Sequence, residues 1–496
     1  MPLRGLAGAA LERAQQLGAQ HADFRLERIR TGTLRLRDAQ LDAANDDEEV
    51  GLCVRVVHEG AWGFAAGITR TPEAAAALAE QAVATAQASR ALRGRAVELA
   101  PEPVYADVSW VSAYDVDPFT VPAKQRTERL AELSERLLAA DGVDHVDAAL
   151  TQVLENTFYA DTAGSMITQQ RVRIEPEFTA VRVDRAGGTF DTMRTLAAPA
   201  GRGWEYLTGT GWDFDAEIAE LPGLLAEHAK APSVEPGRYD LVVDPTNLWL
   251  TIHESIGHAT ELDRALGFEA AYAGTSFATP DQLHTLRYGS ALLNVTGDRT
   301  VEHGLATIGW DDEGVAAQRF DIVRDGVLVG YQLNRDMAQA NAALLGGTAR
   351  SNGCAYADSP SHIPLQRMAN VSLAAAPDGP DLAALIGGVE RGIYVVGDRS
   401  WSIDSQRFNF QFTGQRFFRI VDGRLAGQLR DVAYQATTTD FWGSMSAVGG
   451  PATYYLGGAL NCGKGQPGQS APVSHGCPAA VFRGVNVLNT RAEGTR

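Results

Sequence analysis

At "APSVEPGRYD", residues 231–240, the pattern of the chain changes. Before it, helical and strand-like periodicities alternate; after it, short apolar runs are separated by turns bearing Gly, Asp and Pro. Prolines at 232 and 236 with a glycine at 237 interrupt both helical and sheet hydrogen bonding, so no single regular element is expected to cross this point. A chain of 496 residues is long enough for more than one core. These features predict an α+β protein in two parts. The first is an N-terminal α+β region over residues 1–232, with two candidate subregions of about 1–100 and 101–232; the second is a strand-rich C-terminal domain over residues 233–496 that carries one prominent helix.

In the first part, a helix is expected over residues 6–17, then strands in "FRLERIRTGTLRLRD" and "VGLCVRVVHEGAWGFAAG". An Ala-rich helix follows, with Thr71 as N-cap and Pro72 in its first turn. Leu130, Leu133, Leu137 and Leu138 mark another helix by their spacing. Four strand-like runs between residues 143 and 198 lead to a helix in "FDAEIAELPGLLAEHAK". In the second part, "FDIVRDGVLVGYQL" and "FFRIVDGRLAGQL" each place Asp-Gly between apolar runs, the chemistry of a tight hairpin; their likeness fits either two independent hairpins or an internal duplication.

The charge balance narrows the function. With 61 acidic against 43 basic residues, the net charge of −18 repels phosphate backbones and anionic lipid, so neither nucleic acid nor membrane is an expected partner. Arg4, Glu12 and Arg13 interrupt the apolar N-terminal stretch, which reads as an amphipathic helix and not a signal-peptide core. No run approaches the roughly 20 apolar residues of a membrane helix. Four cysteines are too few for a disulfide framework, and a cytoplasmic location is expected.

The chemistry concentrates in "TIHESIGHATELD", where His253 and His258 flank Glu254. Asp244 as N-cap and Pro245 in the first turn start a helix that would carry them. Five residues on an ideal helix separate the two histidines by about 140° around the axis, which would not aim both at one ion. A π-type turn, or a helix ending within the motif, would bring them to one face, and Gly257 offers backbone freedom for it. A hydrolytic zinc site takes three protein ligands and leaves a position open. Cys462, in the Gly-rich "ALNCGKGQPGQ" beside Lys464, is one candidate for the third ligand; Cys354 and the His475/Cys477 pair are others on residue type, whereas Cys53 reads as a core residue in a strand.

With His253, Glu254, Gly257 and His258 in place, "CGK" at 462–464, "PLQRMAN" at 364–370 and the hairpin "IVDGRLAG", the chain resembles the TldD/PmbA family of metallopeptidases along nearly its whole length. The resemblance implies a zinc ion (Zn2+) held by His253, His258 and Cys462, with Glu254 activating the metal-bound water. It implies a peptide substrate that is small, unfolded or modified, and a homodimer or a heterodimer with a paralogous subunit. The segment "ATELD" after His258 departs from the family pattern and leaves the roles of Glu261 and Asp263 open. The competing reading is a non-catalytic partner or peptide-maturation factor whose metal is structural and has four protein ligands, His475 or Cys477 supplying the fourth.

Overall fold

The computed structural model describes residues 3–92, 94–347 and 349–493. The architecture is α+β, with a strand-rich C-terminal part. Strands from both sides of residue 100 share one seven-stranded sheet, joined where His21–Arg37 pairs antiparallel with His145–Asp161. One face is covered at one end by the helices Leu3–Gln16 and Pro72–Ser89. Small residues allow close approach: a Cβ on Gly63, in the strand Ala61–Gly67, would lie 1.8 Å from the carbonyl oxygen of Ala82 on the second helix, so no side chain fits there. At the other end Leu130, Leu133 and Leu137 of the helix Ala123–Leu138 pack with Phe178 and with Ile218 and Leu221 of the helix Phe214–Lys230.

Where four strand-like runs are expected, the structure has three strands, because His145–Asp161 and the 19-residue Met166–Asp184 are long and only Thr189–Arg194 is short. Pro176 lies within the second of these. Val172, Ile174 and Phe178 all donate their N–H groups to partners outside the pairing with His145–Asp161, so the missing N–H of Pro176 falls on that same outer side and breaks no ladder bond.

In the C-terminal part, the strands Gly237–Val243, Ala480–Asn489, Val432–Thr437, Asn409–Val421 and Arg391–Ile403 pair in a ring that closes on itself, since the last also pairs with the first. Phe410, Phe412, Tyr434, Phe441 and Phe482 pack together in the core it shares with the helix Pro245–Ile252. Both Asp-Gly hairpins form as the sequence predicts. Asp325 and Gly326, and Asp422 and Gly423, all have φ between 48° and 77°, the left-handed pair a two-residue turn requires. The two hairpins belong to different sheets. Among the described residues, no helix is long and apolar enough to cross a membrane.

Candidate metal centre

The helix Pro245–Ile252 starts as its sequence dictates: the Asp244 side chain accepts from the Thr246 N–H and Pro245 occupies the first turn. It then widens. His253–Gly257 is a π turn, and the His258 N–H donates to the His253 carbonyl five residues back. The extra residue turns the imidazoles of His253 and His258 to one face, with ring centroids 4.7 Å apart. Gly257 has ordinary helical angles, φ −53° and ψ −62°, so backbone freedom is not its role here. Instead, a Cβ at 257 would lie 2.6 Å from Met368 Sδ: the glycine makes room for a buried methionine.

Cys462 comes from the other side, near the end of the strand Tyr455–Lys464 rather than within a loop; the glycines form the turn that leads into Gln469–Cys477. The pairing register shifts between Ala459 and Cys462, a bulge of the kind that re-aims a side chain. Cys462 Sγ lies 3.6 Å from His258 Nε2. One donor atom from each of His253, His258 and Cys462 falls within 4.8 Å of the others, and all three residues are buried.

Hydrogen bonds around the cluster settle which ring nitrogens are free. His475 Nδ1 donates to the Val371 carbonyl at 2.8 Å, so His475 Nε2 is an acceptor; it takes the proton of His253 Nδ1 at 2.7 Å, leaving His253 Nε2 with a lone pair. His258 Nδ1 lies 2.9 Å from the Glu261 carboxylate, which fixes the same tautomer there. Glu261 is itself held by Lys464 at 3.1 Å, and Lys464, fully buried, also contacts Asp263 at 2.9 Å and Glu269 at 3.2 Å. Glu261 and Asp263 thus have places in the support of the cluster that the sequence left open.

The four cysteines separate by environment. Burial pushes the Cys462 thiol up, but His258 and Arg367 beside it outweigh burial and hold it below its ordinary value. Burial dominates at the others: Cys53 is pushed up to about 11, Cys354 up to about 12, and Cys477 well above the usual thiol range. His475 and Cys477 therefore do not join the cluster; one supports His253 and the other sits against the Pro245 carbonyl. Glu254, 5% exposed, is ion-paired with Arg407. Burial raises its carboxyl, but His253, His258 and Arg407 outweigh that and lower it, so the group is anionic. Arg407 carries no signal in the sequence and is found only in three dimensions, and the sequence does not assign His475, Lys464 and Arg367 the supporting contacts they make here. A cavity of about 200 Å³ is lined by Trp249, Trp401, Asp398, Asn461, Glu175 and Glu177.

The donor set fits a divalent metal of intermediate softness: two imidazole nitrogens with free lone pairs and one thiol biased toward thiolate. The comparisons with known proteins agree in kind. Residues 22–86 match the PmbA/TldA metallopeptidase domain 1, and residues 236–489 match the PmbA/TldA metallopeptidase C-terminal domain. A metalloprotease of Methanothermobacter thermautotrophicus is 28% identical over 95% of this chain and 96% of its own. A zinc metalloprotease TldD homolog of Saccharolobus solfataricus is 22% identical over 86% of this chain and 88% of its own. The crystal structure of TldE from Thermococcus kodakarensis has the same fold, with a TM-score of 0.70 at 14% identity, covering 97% of this chain and 99% of that one. With its C-terminal match alone spanning more than half of the sequence, the chain belongs to the PmbA/TldD family of metallopeptidases.

Proposed function

We propose that the protein is a zinc-dependent peptidase acting on small, unfolded or modified peptides, with His253, His258 and Cys462 holding the metal and Glu254 as general base. The observation that carries this reading is the convergence of three buried donors within 4.8 Å, with Glu254, ion-paired with Arg407, directly after the first of them. Zinc held there would supply Lewis acidity, acidifying water and polarising a peptide carbonyl. The protein's own groups do the rest. His475 and Glu261 hold the imidazoles with their Nε2 lone pairs free. Glu254 accepts the proton of the attacking water and returns it to the leaving amine.

The strand Tyr455–Lys464 pairs on one side with Gln469–Cys477 and, among the described residues, with no other strand on its outer side. A peptide adding to that edge would run past Cys462 and gain backbone hydrogen bonds with little side-chain preference, which suits unfolded substrates. A homodimer, or a heterodimer with a paralogous subunit, and a cytoplasmic location complete the reading. The non-catalytic alternative calls for a fourth protein ligand, and the engagement of His475 Nε2 by His253 speaks against the nearest one.

Metal content tests the proposal. Wild type is expected to carry about one zinc per chain, Cys462→Ala to lose it, and Glu254→Gln to keep it while losing peptide cleavage. Full activity in Glu254→Gln would remove the general-base role, and wild-type zinc in Cys462→Ala would move the third ligand elsewhere.

A further inference from the structure

Arg407 sits opposite the cluster in the turn between the strands Arg391–Ile403 and Asn409–Val421, and has φ +63°, a conformation unusual for a side chain of its size. The turn is pinned on several sides. The Ser405 carbonyl accepts from Thr275 N–H at 2.8 Å, the Gln406 carbonyl from Phe277 N–H at 2.9 Å, and the Arg407 carbonyl from Thr438 Oγ1 at 2.8 Å. Asp404 closes the turn through its own carboxylate, which accepts from the N–H groups of Gln406, Phe408 and Asn409.

From this fixed base the guanidinium reaches Glu254, with its side chain 13% exposed and its Nε buried without a hydrogen-bond partner. Two other arginines near the cluster point to different partners: Arg367 donates to the Cys462 carbonyl, and Arg264 to the Ala273 carbonyl and to Glu269. Arg407 is thus a cation held against the proposed general base.

Charge moves at that place during hydrolysis. The water oxygen forms a bond to the peptide carbonyl carbon, the carbonyl π pair moves onto the carbonyl oxygen, and the water proton passes to Glu254. One negative charge therefore leaves the carboxylate as one appears on the substrate oxygen. We propose that Arg407 is the oxyanion-stabilising residue of this reaction, paired with Glu254 before proton transfer and with the substrate oxygen after it. The inference rests on the peptidase reading above. Because the turn is pinned in advance, the cation needs little reorganisation as the charge shifts, the condition under which electrostatic stabilisation of a transition state is largest. A residue that only bound the peptide would stabilise substrate and transition state alike and would alter KM instead of kcat.

The test uses zinc-loaded full-length wild type, Arg407→Gln and Arg407→Lys. The probes are an internally quenched, unstructured decapeptide with both termini blocked and a phosphinic analogue of the same peptide, whose tetrahedral anion resembles the developing oxyanion. In Arg407→Gln, kcat is expected to fall about 100-fold with KM within about threefold of wild type, and the phosphinic peptide to bind about 100-fold more weakly. Arg407→Lys, which keeps the charge and loses the planar fork, should recover about tenfold of each. Zinc content should be unchanged in both variants. If wild type cleaves the decapeptide while kcat and phosphinate affinity in Arg407→Gln stay within about threefold, the role falls and the peptidase reading stands. A rise in KM with kcat retained would likewise overturn it in favour of ground-state binding. Zinc-loaded wild type that neither cleaves the decapeptide nor binds the phosphinic peptide would overturn the peptidase reading and this inference with it.

Discussion

His253 Nδ1 lies 2.7 Å from His475 Nε2, and the two residues are 222 positions apart in sequence. The bond runs in one direction only, because His475 spends its Nδ1 proton on the Val371 carbonyl. Burial lowers the pKa of both rings, His475 well below the usual imidazole range, so neither side chain gains a second proton near neutral pH. The result is an imidazole at 253 whose Nε2 is left as an acceptor.

Replacing His475 with alanine removes that acceptor and leaves His253 free to adopt the other tautomer. Zinc affinity is expected to fall about 10- to 100-fold, the usual loss when the partner of a metal-binding histidine is removed. Competition against a chromogenic chelator measures it. Affinity equal to wild type would mean that the tautomer is set by the metal alone.

Gly257→Ala places a methyl group against Met368, which is 2% exposed and packed beneath the π turn. Overpacking of this kind costs about 1–3 kcal/mol. The partner variant decides the cause: if space is what the glycine provides, Met368→Ala should recover most of the loss in the double variant, as a urea denaturation cycle would show. No coupling between the two would show that space against Met368 is not what the glycine provides.

This position also shows what a sequence can and cannot convey. The π turn is legible, because two histidines five apart cannot share an ion on a regular helix, and the Asp244-Pro245 start and both Asp-Gly turns follow from local chemistry. The reason for Gly257 is not, since Met368 is more than a hundred residues away and no local rule refers to it. The choice among four cysteines fails in the same way: what lowers the Cys462 thiol is contact with His258 and Arg367, both brought by other elements. Closure of the C-terminal ring depends on pairing Arg391–Ile403 with Gly237–Val243, strands separated by some 150 residues whose apolar pattern suits several neighbours. Periodicity predicts the elements, and long-range contacts choose among their arrangements.

Lys464 is a cation shared by Glu261, Asp263 and Glu269, and burial that would lower its pKa is outweighed by those carboxylates, which push it up to about 12. Lys464→Met keeps the bulk and removes the charge. Arg264 would still face Glu261 and Glu269, but Asp263 would lose its lysine partner, and breaking a buried ion pair from one side typically costs about 3–5 kcal/mol. Chemical denaturation should register a loss of that order. Zinc affinity should drop as well, since Glu261 would no longer be held against His258 Nδ1. A stability change below about 1 kcal/mol would show that water or protonation readily replaces the lysine.

Far from the metal centre, Glu155 accepts from both Arg171 and Arg173 inside the N-terminal sheet, with all three side chains buried. Burial alone would raise its pKa, but the two arginines outweigh it and lower the carboxyl from 4.5 to about 2. A carboxylate whose folded pKa is depressed stabilises the fold above its unfolded pKa, and the contribution disappears as pH falls from about 4.5 toward about 2. The shift corresponds to about 3 kcal/mol near neutrality, given about 1.4 kcal/mol per unit. Glu155→Gln should therefore be less stable than wild type at pH 7 by an amount of that order, and the gap should narrow as the pH is lowered through this window. Urea melts of the two proteins at a series of pH values would check it, and a gap that stayed constant with pH would assign the loss to packing instead of charge.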